Sequence, residues 1–179
     1  LMGCSQKQID KLYTAALLHD LGKMAIPESI LESPTNLSNV EFILMKTHVG
    51  YTIKLLQNSV PEDIFKIAAH HHEKLDGTGY PFGLTAEQLS IEERILTVAD
   101  IVSALIDNRT YKAEYSKEKV IEICQEMVQD GQLDSSIVKV VENNFDKFKE
   151  DAASRNKFMS VPLGLVEMLF HEEMDYESL

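Results

Sequence analysis

Apolar residues recur at helical spacing through most of this chain, and no segment alternates apolar with polar residues over the length of a strand. The first helical face comprises Ile9, Leu12, Tyr13, Ala16 and Leu17. A later face comprises Ile95, Val98, Ala99, Val102 and Ile106. Residues three and four positions apart lie on one side of an α-helix, whereas a half-buried strand needs strict alternation. The sequence therefore predicts an all-α protein, a helical bundle.

Capping residues predict where several helices begin and end. Ser38 with Glu41, and Ser90 with Glu93, have the spacing of a capping box, in which each side chain accepts a backbone N–H of the other residue. Pro61 and the two acids after it suit the first turn of a helix. Further predicted boundaries are Ser116 and Asp134 as N-caps and Gly131 as a helix end.

The size and charge of the chain argue against several classes of protein. Its 179 residues, 44% of them hydrophobic, suffice for a domain with a buried core. A net charge of -12 argues against binding a nucleic-acid polymer, which needs a basic face. Because Cys4 and Cys124 are far apart and no apolar run reaches the length of a membrane span, we expect a cytoplasmic protein without disulfides or membrane helices.

The helical spacing divides the chain into a domain and an extension. We predict one domain over residues 1–150, followed over 151–179 by an extension with a short amphipathic helix and an acidic tail. Residues 74–90, which contain three glycines and a proline, form the one long connection inside the domain. A loop of this length in a compact domain is usually functional.

Histidines and aspartates fall on the predicted buried faces. One stripe comprises Ile64, Ile67, Ala68, His71 and His72, and the face of the first helix continues to Asp20. His70 falls outside this stripe and is expected to be a bystander, whereas Asp100 is the single charge between Ile95 and Ile106 and is expected to lie deep. Hydrogen bonds and salt bridges could satisfy such groups one at a time. A single metal cluster that also includes His19 and His48 explains them together.

The ligand types limit the metal and the reaction. Imidazole mixed with carboxylate, without thiolate, suits iron or manganese, and also zinc or nickel. Six protein ligands exceed the four of a single zinc site, so more than one ion is indicated. Paired divalent ions can stabilise the attacking and leaving oxygens of a phosphoryl transfer, which makes phosphodiester hydrolysis the expected chemistry.

Four motifs together carry a family resemblance. They are His19-Asp20-Leu21-Gly22-Lys23, His71-His72-Glu73 followed by Asp76-Gly77-Thr78-Gly79-Tyr80-Pro81, Val98-Ala99-Asp100, and Arg109-Thr110-Tyr111-Lys112. In their order and spacing, from about residue 8 to residue 148, the chain resembles the HD-GYP branch of the HD-domain phosphohydrolases. A His-Asp pair alone is common, but the second string is long and specific. The resemblance implies an HD-type helical bundle with a long glycine-rich GYP loop.

The resemblance also implies roles for individual residues. The implied metal ligands are His19, Asp20, His48, His71, His72 and Asp100. Lys23 is expected to contact the scissile phosphate, which makes Lys23 and Asp20 the expected catalytic residues. The other implied substrate contacts are Gly79, Tyr80 and Pro81 of the signature loop and the two cations Arg109 and Lys112.

The activity that the resemblance implies is hydrolysis of cyclic di-GMP to linear pGpG, and in some members onward to GMP. It proceeds through a hydroxide that bridges the metals, with two or three divalent ions as cofactors. Two alternatives stay open: cyclic GMP-AMP as the substrate, and a noncatalytic module that binds a nucleotide or a protein. The resemblance further implies a GGDEF-type partner at the GYP loop and is compatible with a homodimer.

The chain departs from the family pattern in two places. Family members usually carry a helix ahead of residue 8 that supplies another histidine and often a glutamate for a third metal, and we expect this chain to lack it. They also tend to have an aspartate where this chain has Ser103. Loss of a group that orients a metal ligand commonly costs about 10- to 100-fold in metal affinity or activity.

Overall fold

The computed structural model describes residues 2–106 and 115–159, with side chains through residue 150. Its helices are α1 (Gln6–Leu18), a 3-10 turn (Leu21–Ala25), α2 (Glu28–Leu31), α3 (Asn39–Leu56), α4 (Glu62–Ala69), α5 (Ile91–Ile106), α6 (Lys117–Gln129) and α7 (Ser135–Met159). Over these residues the β pairing is a single bridge between Asp76 and Thr85. The predicted all-α fold is confirmed, and the long connection from 74 to 90 lies between α4 and α5.

The predicted capping boxes form at the starts of α3 and α5. The Ser38 hydroxyl accepts the N–H of Glu41, whose carboxylate accepts the N–H of Ser38 at 2.8 Å. Ser90 and Glu93 make the same reciprocal pair, at 3.3 and 2.6 Å. Other confirmed boundaries are Ser116 as the N-cap of α6, Gly131 with a φ of 73° just after α6, and Asp134, which accepts the N–H of Ser136 at the start of α7.

The core beneath the candidate site lies between α1, α3, α4 and α5. Its buried members are Ala15, Leu56, Ile67, Ala68 and Leu96. Ala15 and Ala68 are fully buried, and side chains this small let two helices approach closely. This packing fixes the end of α1 close to the end of α4, and both ends lead into histidines.

The face of α1 that the sequence predicted to be buried is mostly exposed, and this expectation was wrong for all of its members except Leu12, which packs against the core. Ile9, Tyr13 and Leu17 are 47%, 61% and 67% exposed. The buried side of the helix is instead centred on Ala15, with Leu18 packed against the core. Because α1 carries apolar residues on two sides, periodicity alone could not say which side packs inward.

Helix α7 is interrupted at Asn144, where φ and ψ are -128° and 17°. The chain divides at this point into one compact unit over Leu1–Asn143 and a second that begins at Asn144. The domain boundary predicted at residue 150 stays a prediction, and the predicted helix near residue 165 lies outside the described residues. No helix within the described ranges combines the length and the apolar character needed to cross a membrane.

Candidate metal centre

The first half of the candidate site lies where α1 gives way to the 3-10 turn. His19 follows the last residue of α1, and Asp20 precedes the turn. The turn packs tightly on α3: a Cβ on Gly22 would stand 2.0 Å from the carbonyl oxygen of His48, so this position requires glycine. Thr52 of α3 also fixes the turn, because its hydroxyl accepts the N–H of Gly22 at 2.9 Å and donates to the carbonyl of His19 at 3.0 Å.

The second half of the site comes from α3 and from the end of α4. His48 is buried in the middle of α3. His71 and His72 lie just beyond the last residue of α4, and His71 is buried while His72 is partly buried. The histidine stripe predicted from the sequence therefore reaches the site, although the helix itself ends before the histidines.

Three of the imidazole rings are oriented in the same way by their own backbone. In each ring Nδ1 lies 2.7 Å from the carbonyl oxygen three residues earlier: the pairs are His19 with Ala16, His48 with Met45 and His71 with Ala68. A carbonyl can only accept a hydrogen bond, so Nδ1 carries the proton in each ring. Nε2 of each ring therefore faces the cluster, and in the neutral rings of His48 and His71 it is a free lone pair, which is the arrangement typical of metal-ligating histidines.

The three Nε2 atoms and the Asp20 carboxylate point to one place. His48 Nε2 lies 3.4 Å from His71 Nε2, and because Nδ1 carries the proton of each neutral ring, these two atoms meet as lone pairs. Asp20 Oδ1 lies 3.4 Å from His48 Nε2, and its Oδ2 lies 3.2 Å from His19 Nε2. His19 Nε2 is buried and makes no hydrogen bond. Lone pairs and a carboxylate crowded in this way repel one another unless a cation lies between them, so the residues fit a divalent metal.

Asp100 and His72 border this cluster. Asp100 Oδ1 lies 3.6 Å from His19 Nε2, and its Oδ2 lies 3.7 Å from His72 Nδ1. The Asp100 side chain is 23% exposed, so the expectation that it lies deep was wrong, because it borders the imidazoles rather than the apolar core. The potential ligand atoms form two groups, and the atoms within each group lie within 4.8 Å of one another. One group comes from His48, His71 and His72, and the other from His19, Asp20 and His71.

The electrostatics of the cluster separate its histidines. Burial lowers the pKa of His71 to about 3 and that of His72 to about 4, so both rings are neutral ligands near pH 7. Burial also acts to lower the pKa of His19, but the Asp100 and Asp20 carboxylates outweigh it and raise this pKa to about 10. Burial acts to raise the pKa of Asp20, yet the adjacent His19 imidazole and Lys23 ammonium hold it well below its usual range. A metal ion that binds the Asp20 carboxylate and the His19 imidazole would replace the proton that they otherwise hold.

The GYP loop is held against the cluster by Glu73. This carboxylate is 1% exposed and accepts the backbone N–H of Phe82 at 2.7 Å and of Leu84 at 2.9 Å. The loop backbone passes so close that a Cβ on Gly79 would lie 2.4 Å from the Cα of Glu73. The Tyr80 ring stacks on His72, with centroids 4.8 Å apart and planes inclined by 30°. The signature residues Gly79 and Tyr80 are thus in direct contact with the chain segment that carries the candidate ligands.

The structure adds contacts that the sequence did not predict. His70, the expected bystander, is absent from both ligand groups, but its Nδ1 contacts the buried carboxylate of Glu93 and its ring meets Phe82 edge-on at 5.4 Å. Thr52 was also missed, although it follows His48 by one helical turn and could have been suspected on that ground. Lys46, whose ammonium lies over the Tyr80 ring, gave no signal in a single sequence.

The expected basic residues differ in what can be said of them. The Lys23 ammonium forms an ion pair with Asp20 Oδ2, next to His19. Arg109 and Lys112 lie outside the described residues, and Pro81 is exposed on the loop. Ser103, the departure from the family pattern, is exposed on α5, and in the described part of the chain no contact joins it to the histidines.

Comparison with known proteins gives a consistent result. A model of the HD domain family matches residues 1–137. The chain is 36% identical over 152 residues to 3'3'-cGAMP-specific phosphodiesterase 2 of Vibrio cholerae, covering 83% of this chain and 29% of that protein. It is 40% identical over 109 residues to a cyclic di-GMP phosphodiesterase of Pseudomonas aeruginosa, covering 60% of this chain and 26% of that protein. The chain thus spans less than a third of the length of either relative.

A solved structure resembles the fold. Bd1817, a HDG"Y"P protein from Bdellovibrio bacteriovorus, superposes with a TM-score of 0.64 at 20% identity, over 80% of this chain and 45% of that one. The family match covers most of the chain, including the His-Asp pair and the GYP loop. The chain therefore belongs to the HD-domain family.

Proposed function

We propose that this chain is the catalytic domain of a metal-dependent phosphodiesterase that hydrolyses cyclic di-GMP to the linear dinucleotide pGpG. The observation that carries the proposal is the convergence of the Nε2 atoms of His19, His48 and His71 on the Asp20 carboxylate beside the GYP loop. Such a donor set suits divalent ions of the iron and manganese type. Named relatives act on cyclic di-GMP or on 3'3'-cGAMP, and this supports a cyclic dinucleotide as the substrate.

The proposed ligands are the six residues predicted from the sequence, and they differ in their surroundings. His19, Asp20, His48 and His71 surround the point where the Nε2 atoms meet, and His72 and Asp100 border it. Divalent ions bound here would supply Lewis acidity and a water molecule of lowered pKa. Because Nδ1 of three rings is held by a carbonyl, the rings keep their tautomer and direction when a ligand binds.

The chain's other residues would bind and orient the substrate. Lys23 stands at Asp20, where its ammonium can stabilise negative charge that develops on the scissile phosphate. The Tyr80 ring, which is fixed by its stack on His72, would form the wall of the substrate site on the side of the GYP loop. Arg109 and Lys112 are proposed to bind phosphate oxygens. We further propose a cytoplasmic location, a GGDEF-type partner at the loop and a homodimer.

The decisive experiment measures metal content and hydrolysis together. Protein purified under anaerobic conditions is analysed for bound metal, and its products from cyclic di-GMP are separated by chromatography. The Asp20→Asn variant keeps the size of the side chain but removes its charge, and we expect it to lose bound metal and at least about 100-fold in turnover. The exposed aspartate at the end of α6, changed as Asp130→Asn, serves as a control and should match the unmodified protein.

The same experiment separates the alternatives. The relative that matches 83% of this chain is named as specific for 3'3'-cGAMP, which makes cyclic GMP-AMP the second candidate substrate. A larger kcat/KM for cyclic GMP-AMP than for cyclic di-GMP would assign that substrate instead. If the purified protein contains no metal, binds the nucleotide and hydrolyses neither compound, it is a noncatalytic binding module and the proposal is rejected.

A further inference from the structure

Lys46 is a cation beside the candidate metal centre to which the family motifs assign no role. It lies on α3, two residues before His48, and its side chain is partly buried. Its ammonium stands 4.8 Å from the centroid of the Phe42 ring and 4.8 Å from that of the Tyr80 ring. Two aromatic rings thus hold the long side chain in place, and its charge is positioned before any ligand arrives.

The position of Lys46 ties it to the substrate side of the site. Phe42 precedes it by one turn on the same helix, whereas Tyr80 belongs to the signature loop. The Tyr80 ring in turn stacks on His72, a proposed metal ligand. One aromatic ring therefore separates the Lys46 ammonium from the metal cluster, so a molecule larger than one phosphate group can reach both.

No acid in the described part of the chain neutralises the charge of Lys46. Among the described residues no carboxylate forms an ion pair with it, whereas Lys23 pairs with Asp20 and Lys66 pairs with Glu62. Contact with an aromatic ring attracts a cation but leaves its charge in place. In a chain with 29 acidic and 17 basic residues, a cation without an acidic partner at a candidate site favours an anionic ligand.

We propose that Lys46 binds the second, non-scissile phosphate of the cyclic dinucleotide. The inference rests on the proposed function, which places the scissile phosphate at the metal cluster next to Lys23. A cyclic dinucleotide carries two phosphodiester groups, and both are anionic. Lys23 is engaged at Asp20, whereas Lys46 lies across the Tyr80 ring and is free to meet the second phosphate.

The test compares three variants on α3. Lys46→Met keeps the length of the side chain and removes its charge, and Lys46→Arg keeps the charge. Lys54→Met is the matched control, because Lys54 lies on the same helix with its ammonium 5.6 Å from the Tyr51 ring and is exposed. Hydrolysis of cyclic di-GMP is measured for kcat and KM separately, and hydrolysis of bis(4-nitrophenyl) phosphate, which carries a single phosphate, is measured alongside.

The expected result is a change in KM that follows the charge. Losing one hydrogen bond to a charged group should raise KM for cyclic di-GMP about 10-fold or more in Lys46→Met, with kcat nearly unchanged. Lys46→Arg and Lys54→Met should resemble the unmodified protein. Hydrolysis of the single-phosphate diester should be equal in all four proteins. If Lys46→Met slows both substrates alike, Lys46 acts by supporting Tyr80 and His72, and the proposal is overturned.

Failure of the proposed function can be told apart from failure of this inference. If the unmodified protein hydrolyses no cyclic dinucleotide, its dissociation constant for intact cyclic di-GMP is measured by calorimetry, with Lys46→Met beside it. Binding weakened about 10-fold in the variant supports the phosphate contact even without catalysis. Equal dissociation constants, or no binding by the unmodified protein, reject it.

Discussion

The buried carboxylate of Glu73 offers the sharpest test of how the site is built. It accepts two backbone N–H groups of the GYP loop, from Phe82 and Leu84, and almost none of its surface reaches solvent. The change Glu73→Gln keeps the shape of the side chain. It replaces one acceptor oxygen by an NH2 group, which then faces a backbone N–H that also needs an acceptor.

The magnitude follows from these two bonds. A hydrogen bond to a charged group contributes roughly 1.5–3 kcal/mol, and a buried donor left without a partner costs about as much again. The glutamine oxygen keeps one hydrogen bond, and its NH2 group leaves the second backbone N–H without an acceptor. We therefore expect the free energy of unfolding to fall by about 3 kcal/mol. With a urea dependence of about 2 kcal/mol/M, the midpoint of denaturation should fall by about 1.5 M.

The assay is urea denaturation of metal-free protein followed by far-UV circular dichroism. Glu87→Gln is the matched control, because Glu87 lies in the same loop and is exposed, and its midpoint should stay at that of the unmodified protein. Hydrolysis of cyclic di-GMP should also fall in Glu73→Gln, since Tyr80 loses its fixed position. A Glu73→Gln midpoint that equals the Glu87→Gln midpoint would refute the role assigned to Glu73.

Two further predictions concern the close contacts around the site. In Gly79→Ala the new Cβ would lie 2.4 Å from backbone atoms, so the free energy of unfolding should fall by about 3 kcal/mol in the same denaturation assay. Gly50 is an exposed helical position with open space around it, so Gly50→Ala should leave this free energy unchanged or raise it. Thr52→Val removes a buried hydroxyl that bonds to two backbone groups, so the free energy of unfolding should fall by about 2 kcal/mol and metal binding in a titration should weaken. Thr47→Val, exposed on the same helix, should change neither quantity. A metal affinity unaffected by Thr52→Val would contradict the role assigned to Thr52.

Local signals predicted the helices because they act locally. The capping boxes at Ser38 and Ser90 form as expected, since each depends on residues only three positions apart. The sequence could not decide which side of α1 packs inward, because that choice depends on the helices it meets. Ile9, Tyr13 and Leu17 satisfy the helical period as well as any buried stripe would, yet they are exposed.

The candidate site divides in the same way. Chemistry-bearing residue types drew attention to the His-Asp pair and to the histidines after α4, and the structure places them close together. Lys46 and the hydroxyl of Thr52 could not be found from the sequence, because their roles arise from contacts across 34 and 30 residues, with Tyr80 and Gly22 respectively. The buried pair of His70 and Glu93 likewise joins distant segments, so helical spacing had marked His70 as a bystander.

The carbonyl contacts of the three imidazoles also bear on how a metal would enter. His19, His48 and His71 each take their direction from a backbone oxygen three residues upstream, so their orientation is complete once α1, α3 and α4 have formed. The entropy of arranging these ligands is then lost during folding and not during binding. Small zinc modules that fold only around their ion behave in the opposite way. The centre is therefore preorganised. Removing the metal should leave the helical circular dichroism of the protein unchanged, and so should replacing one divalent ion by another.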